Sequence, residues 1–366
     1  MEQKSKKILK WVLISLGVAV VVAAVAGFLY WNRMLNLLGD AEQTVPTLSQ
    51  EEEAALLGTV ETVEQTVEEP IAQTEPVETW PQIVSNKNVT NIMLVGQNWR
   101  EDEQNKLSDT MILCSINRKT KTMTLVSFLR DLYVPLPAYA GHGTGQNRMN
   151  VCYALGSSWK GTSKGGMEML ALCVEQNFGI HIDHTIEVSL DSFPRIIDGF
   201  GGVEIDITEA EAKYLTEEVG YVGEVQPGLQ TLDGMETLAY ARIRKIDGDR
   251  QRSARQRTVL FALLEKCRGM GMMQFHSAAE YVLPSIITDM TNEEITNYIW
   301  ELMPMVKDLK IQSLTCPADN KTLPNSMWGK TIDLYGYMSS VVECNRSLNG
   351  KYLRYALGIV PEDMEN

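Results

Sequence analysis

Leu107-Ser-Asp109-Thr-Met111-Ile-Leu-Cys-Ser-Ile116-Asn-Arg-Lys-Thr-Lys121-Thr-Met-Thr-Leu-Val-Ser127-Phe-Leu-Arg130-Asp131 is the stretch that decides the fold. Met111 to Ile116 and Thr122 to Phe128 are apolar runs of strand length, and the polar Asn117 to Lys121 between them turns the chain, which predicts an antiparallel pair. Upstream, Asn91-Ile-Met-Leu-Val-Gly96 is continuously apolar, the pattern of a strand covered on both faces. Downstream, Gly165 to Phe178 puts Met167, Leu170, Ala171, Val174 and Phe178 on one helical face, with Gly179 as its stop. Thr185 to Ser189 reads as a strand leading into a helix with Phe193, Ile196, Ile197 and Phe200. Gly201-Gly202 ends that helix, and Val203 to Ile207 alternates as a strand. Leu238 to Ile243 reads as a further strand with Tyr240, Arg242 and Arg244 on one face, and a helix follows from about Arg252 to Cys267. Strands alternating with helices predict an α/β chain whose mixed central sheet lies between helical layers, α/β/α.

The first quarter of the chain does not read as globular. Trp11 to Trp31 carries no charged side chain, and about 20 such residues span a hydrocarbon core of roughly 30 Å, so a membrane helix is expected over 11–32. The run is too long, and its Leu29-Tyr30-Trp31 end too bulky, for a cleaved signal peptide. Lys4, Lys6, Lys7 and Lys10 precede it and only Arg33 follows closely, which places residues 1–10 in the cytoplasm and the bulk of the chain outside. From Asp40 to Asn86 there is no Lys or Arg, and a Glu- and Thr-rich composition predicts a solvated linker over 33–88 that holds the domain off the membrane. A net charge of −14 argues against nucleic acid as a partner. The six cysteines show no CxxC spacing, so a zinc site is not expected; Cys316 with Cys344 is the candidate disulfide, buried free thiols the alternative.

Against that acidic background, Arg242, Arg244, Lys245, Arg250, Arg252, Arg255 and Arg257 crowd one passage. Like charges so close persist when solvated, when paired with neighbours such as Asp247 and Asp249, or when an anion binds among them. Guanidinium groups pair phosphate oxygens bidentately, which makes a phosphate the natural ligand. Arg252 and Gln256 share a helical face at i, i+4. Asp109 and Arg130 flank the hairpin at its neighbouring ends, offering an oxygen ligand for Mg²⁺ beside a phosphate clamp, or a plain salt bridge.

Taken in order, several motifs resemble the LytR-CpsA-Psr family of bacterial cell-envelope proteins: Gly96-Gln-Asn98-Trp-Arg100, Ser108-Asp-Thr110, Ser127-Phe-Leu-Arg-Asp131, Ile197-Asp-Gly-Phe-Gly-Gly-Val203, Leu232-Asp-Gly234 and Leu238-Ala-Tyr-Ala-Arg-Ile-Arg244, then Asp249, Arg252 and Arg255-Gln256. The resemblance covers roughly Asn91 to Cys267 and implies a catalytic domain over 89–320, followed by a C-terminal extension over 321–366. It implies a phosphotransferase at the cell membrane that moves a teichoic-acid-like or capsular polymer from a polyprenyl-pyrophosphate carrier to peptidoglycan. A carrier-binding protein without turnover and a pyrophosphate hydrolase are the alternatives. By position, the resemblance gives catalytic roles to Asp109, Arg130 and Asp131, and pyrophosphate contacts to Arg242, Arg244, Arg252, Gln256, Arg100, Arg148 and Arg255. Mg²⁺ or Mn²⁺ falls to Asp109 and Asn98, the latter standing where the family has an aspartate.

Overall fold

The computed structural model describes residue 27 and residues 29–57, 81–97, 107–143, 145–219, 222–334 and 337–360. In chain order its strands are β1 (Gly39–Asp40), β2 (Val89–Gln97), β3 (Ser108–Asn117), β4 (Thr122–Phe128), β5 (Tyr133–Leu136), β6 (Gly145–Arg148), β7 (His184–Ser189), β8 (Val203–Ile207), β9 (Gly228–Leu232), β10 (Ile286–Thr288), β11 (Lys310–Cys316), β12 (Met327–Leu334) and β13 (Tyr337–Cys344). The helices are α1 (Gln50–Leu57), α2 (Cys152–Lys160), α3 (Ser163–Phe178), α4 (Phe193–Gly199), α5 (Glu209–Glu218), α6 (Gly234–Arg242), α7 (Asp249–Gly269), α8 (Met272–Val282), α9 (Asn292–Leu302) and α10 (Arg346–Ala356).

Seven strands form one sheet in the order β1-β10-β7-β2-β3-β4-β11. The expected hairpin is its centre: β3 pairs antiparallel with β4 from Ile112↔Ser127 to Asn117↔Thr122. β7 on β2 and β11 on β4 are parallel, so the sheet is mixed. Successive side chains on a strand face opposite ways, and β3 divides accordingly. Met111 and Leu113 join one core with Met167, Leu170 and Val174 of α3 and Leu353 of α10. Ile112, Cys114 and Ile116 join another, packed against Leu260, Phe261 and Leu264 of α7. Helices therefore cover both faces. On the first face α2 and α3 approach so closely that a Cβ on Gly156 would lie 2.3 Å from the Gly165 carbonyl oxygen.

Three expectations are corrected. Leu238 to Ile243 is not a strand but the end of α6, because Asp233 caps the helix and Glu236 completes a capping box just before Thr-Leu-Ala-Tyr-Ala, which favours helix. Arg242 and Arg244 therefore share no strand face. The acidic linker does not begin at residue 33: Met34, Leu35, Ala41 and Leu48 are buried, β1 pairs with β10, and Val45 N–H donates to the Gly161 carbonyl at 3.0 Å. Leu56 of α1 packs on the first core, while residues 58–80 lie outside the described residues. The third concerns the cysteines: Cys316 and Cys344 are free thiols, and burial pushes the Cys344 thiol up to about 12.

β8 forms its own two-stranded sheet with β9, over a third core that includes Ile205, Leu215 and Ile243. The C-terminal extension is integral to the first core through Leu353, Leu357 and Ile359. The expected membrane helix lies almost wholly outside the described residues, of which residues 29–35 are helical. Among the described residues no helix is long and apolar enough to cross a membrane.

Candidate active site

The hairpin and the start of α7 meet at one end of the central strands. Asp109 sits at the entry to β3, Arg130 and Asp131 just beyond β4, Arg148 at the end of β6, and Asp249 and Arg252 on the first turn of α7. Arg130 Nη1 donates to Asp109 Oδ1 at 2.8 Å, which is the convergence the antiparallel pairing requires. Its Nε lies 3.6 Å from Asp131 Oδ2 and 3.4 Å from Asp249 Oδ1. Arg252 Nη2 lies 2.7 Å from Asp249 Oδ1, and its Nη1 3.8 Å from Asp109. Arg244, in the turn between α6 and α7, reaches Asp131 at 3.8 Å and Asp249 at 3.9 Å. Arg148 reaches Asp131 at 3.8 Å.

Four guanidiniums thus meet three carboxylates, an excess of one positive charge, at the N-terminus of a 21-residue helix. The unpaired N–H groups and dipole of a helix start favour an anion there. Burial lowers the pKa of Arg252, with Asp249 only partly offsetting it and the charge of Arg130 adding to the effect. Arg130 moves the other way: burial works against its charge, but the bond to Asp109 and the charges of Asp131 and Asp249 outweigh burial. The two central guanidiniums make short contacts to Asp109 and Asp249, whereas Arg244 makes only contacts of 3.8 and 3.9 Å and its side chain is 53% exposed.

The remaining expected residues divide. Gln256 is half-buried one turn after Arg252. Arg242 is exposed at the end of α6. Arg255 faces away, donating to Glu211 Oε1 at 2.6 Å, Asp247 Oδ1 at 2.9 Å and the Ile243 carbonyl at 3.1 Å, so it ties α7 to α5 and the α6–α7 turn. Asn98 and Arg100 lie outside the described residues.

Two contributors are given no site role by the sequence reading, which names Asp249 only as a pairing neighbour and motif position and Arg257 only as part of the cluster. Asp249 joins Arg130, Arg244 and Arg252, and neither of its buried oxygens accepts an aligned hydrogen bond among the described residues. Arg257, 7% exposed, donates to Ser127 Oγ at 2.6 Å; burial and the charge of Arg250 push its pKa down to about 10. Their signal was the spacing Asp249, Arg252, Arg257 along one helix start.

A groove of about 1220 Å³ lies elsewhere: Phe200, Leu229, Ala262, Lys266, Met273 and Tyr281 line it at the far end of α7. From Arg252 to Lys266 the helix rises about 21 Å at 1.5 Å per residue. The clustered guanidiniums and carboxylates, not this groove, form the candidate site.

A mixed sheet that delivers convergent arginines and aspartates to a helix start defines an α/β domain with a candidate anion site. The chain belongs to the LytR_cpsA_psr family, whose model matches residues 56–340. A polyisoprenyl-teichoic acid–peptidoglycan teichoic acid transferase TagU of Oceanobacillus iheyensis is 34% identical over 187 residues, 50% of this chain and 53% of that protein. The match thus spans about half of that relative's length. The corresponding transferase TagT of Bacillus subtilis is 25% identical over 273 residues, 73% of this chain and 74% of that protein. The solved structure of the family protein YwtF (TagT) with bound octaprenyl pyrophosphate lipid shares the fold at a TM-score of 0.52 and 22% identity, covering 74% of this chain and 91% of that one.

Proposed function

We propose that this chain is a membrane-anchored phosphotransferase that moves an anionic or capsular glycopolymer from a polyprenyl-pyrophosphate carrier to peptidoglycan. Its relatives' names as teichoic acid transferases support the substrate class. The observation that carries it is the convergence of Arg130, Arg244 and Arg252 at the start of α7. An acceptor hydroxyl attacks the phosphorus that bears the sugar, the bridging P–O bond breaks, and polyprenyl phosphate leaves with the bridging oxygen. Charge then gathers on that leaving phosphate, where prepositioned guanidiniums stabilise it more than in the ground state. Asp131, in contact with Arg130, Arg148 and Arg244, is assigned the proton of the attacking hydroxyl.

The donor chemistry fits Mg²⁺ or Mn²⁺. Asp109 and Asp249 share Arg130 and Arg252, and both are hard oxygen donors of the kind these ions take. The two Asp249 oxygens lack aligned hydrogen bonds. A cation held there would supply charge neutralisation to the pyrophosphate. Residues 11–32 serve as the single span, with residues 1–10 cytoplasmic and the domain outside.

Full-length protein with a short-chain polyprenyl-pyrophosphate sugar, peptidoglycan fragments and Mg²⁺ tests the proposal. A phosphodiester-linked product is expected. Binding without product would leave a carrier-binding protein, and free sugar phosphate a hydrolase.

A further inference from the structure

The N-terminal apolar run enters the domain without a spacer. Residues 29–35 are helical and form a stem whose last residues, Met34 and Leu35, are already buried. The stem lies against two helices. On α8, the Tyr30 hydroxyl hydrogen-bonds the His276 ring and reaches Glu280 Oε1 at 3.4 Å. On α9, Trp31 Nε1 donates to Thr296 Oγ1 at 2.9 Å, and Asn292 Nδ2 donates to Asn36 Oδ1 at 2.6 Å.

These two contacts fix a direction. Stepping from Asn36 back to Trp31 on the stem matches stepping from Asn292 forward to Thr296 on α9, so the two run antiparallel. One further turn of α9, about 6 Å at 1.5 Å per residue, arrives at Trp300. Trp300 is therefore abreast of Gly27, inside the apolar run Trp11 to Trp31, and it is 72% exposed. Around the same stem, Met273 on α8 is 85% exposed, Phe275 44% and Leu29 61%. These large apolar side chains around the stem stay partly to largely uncovered among the described residues. Aromatic residues flanking a span sit at the bilayer interface.

We infer that this edge of α8 and α9 rests on the outer face of the bilayer, with Trp300 and Met273 inserted at headgroup depth. The domain then holds one orientation to the membrane instead of hanging from a flexible tether. The inference rests on the reading of 11–32 as a membrane span. It commits to lipid as the occupant because the apolar run that continues beyond Leu29 enters lipid beside these side chains. Insertion rather than charge is the attraction, since Glu280 shares the edge next to Tyr30 and opposes anionic headgroups.

The test uses the full chain in vesicles of phosphatidylethanolamine and phosphatidylglycerol, with p-benzoylphenylalanine replacing Trp300, Met273 or Trp328. Trp328, 47% exposed, belongs to the hairpin that follows β11 at the opposite edge of the sheet. Lipid adducts at 300 and 273, none at 328, and no loss at high salt are expected. Protein that floats with the vesicles but gives no adduct at 300 or 273 overturns the docking and leaves the anchor standing. Protein that does not float overturns both, and equal adducts at all three positions overturn the fixed orientation. As a second readout, Trp300→Ser with Met273→Ser should lose transfer several-fold from a membrane-embedded carrier and keep the parent rate with a water-soluble short-chain carrier. Equal loss with both carriers counts against the inference.

Discussion

Arg244→Ala separates a grip on substrate from a contribution to folding. The Arg244 guanidinium lies 3.8 Å from Asp131 and 3.9 Å from Asp249, both beyond hydrogen-bond length, and its side chain is 53% exposed. Ion pairs of that exposure contribute about 0.2–1 kcal/mol, and each kcal/mol moves the melting temperature of a domain this size by about 2–4 °C. The expected loss of stability is therefore a few degrees at most. In the proposed transfer the same group would meet charge developing on the leaving phosphate, where removing one prepositioned donor costs about 2.7–4 kcal/mol, or roughly 10²–10³ in kcat. Arg244→Lys keeps the charge but loses the planar fork, so it should recover only part of the rate. The assay is initial-rate transfer of a labelled short-chain carrier substrate, paired with thermal melting of the same preparations. An unchanged rate, or a melting temperature that falls in step with the rate, would refute the assignment.

Arg255→Met should behave in the opposite way. It strands the buried Glu211 carboxylate, at a cost of about 3–5 kcal/mol in a denaturant midpoint, while activity per folded molecule stays near the parent's. Glu187 is buried against the Tyr153 hydroxyl, and burial raises its pKa above 4.5. A carboxyl raised on folding contributes stability below 4.5 that is lost as pH rises through its folded value. Glu187→Gln should thus have the higher urea midpoint at pH 7 and lose that advantage in acid. Burial opposes protonation of His184, but its bond to Asp289 and that group's charge win and raise its pKa above 6.5. Its contribution is full below 6.5 and fades as pH climbs through the folded value, so His184→Gln should flatten this part of the stability profile. Gly156→Ala should cost about 1–3 kcal/mol by calorimetry, since the new methyl meets the Gly165 carbonyl and Met169 in an already packed crossing.

How much was legible in the sequence follows from the range of the forces involved. The β3–β4 hairpin was readable because two apolar runs and a polar turn are local signals, and the pairing then brought Asp109 to Arg130 without further information. The α6 segment misled because Tyr240, Arg242 and Arg244 alternate as in a strand, while the deciding signal, the Asp233–Glu236 capping box, sits upstream of that window. Arg255 and Arg252 look alike in sequence. Only the tertiary placement of Glu211 on α5 turns one into a tie between helices and leaves the other at the site. Ala41 and Leu48 lie in an acidic, Thr-rich segment whose composition gives no warning that β1 will add to the sheet edge at β10.

The claim that these arginines grip a carrier pyrophosphate is tested most directly by a crystal structure of the protein soaked with a short polyprenyl pyrophosphate. The pyrophosphate is expected at the start of α7, within hydrogen-bond distance of Arg130, Arg244 and Arg252. A pyrophosphate bound in the groove at the far end of α7, with those arginines still turned to Asp109, Asp131 and Asp249, would contradict it.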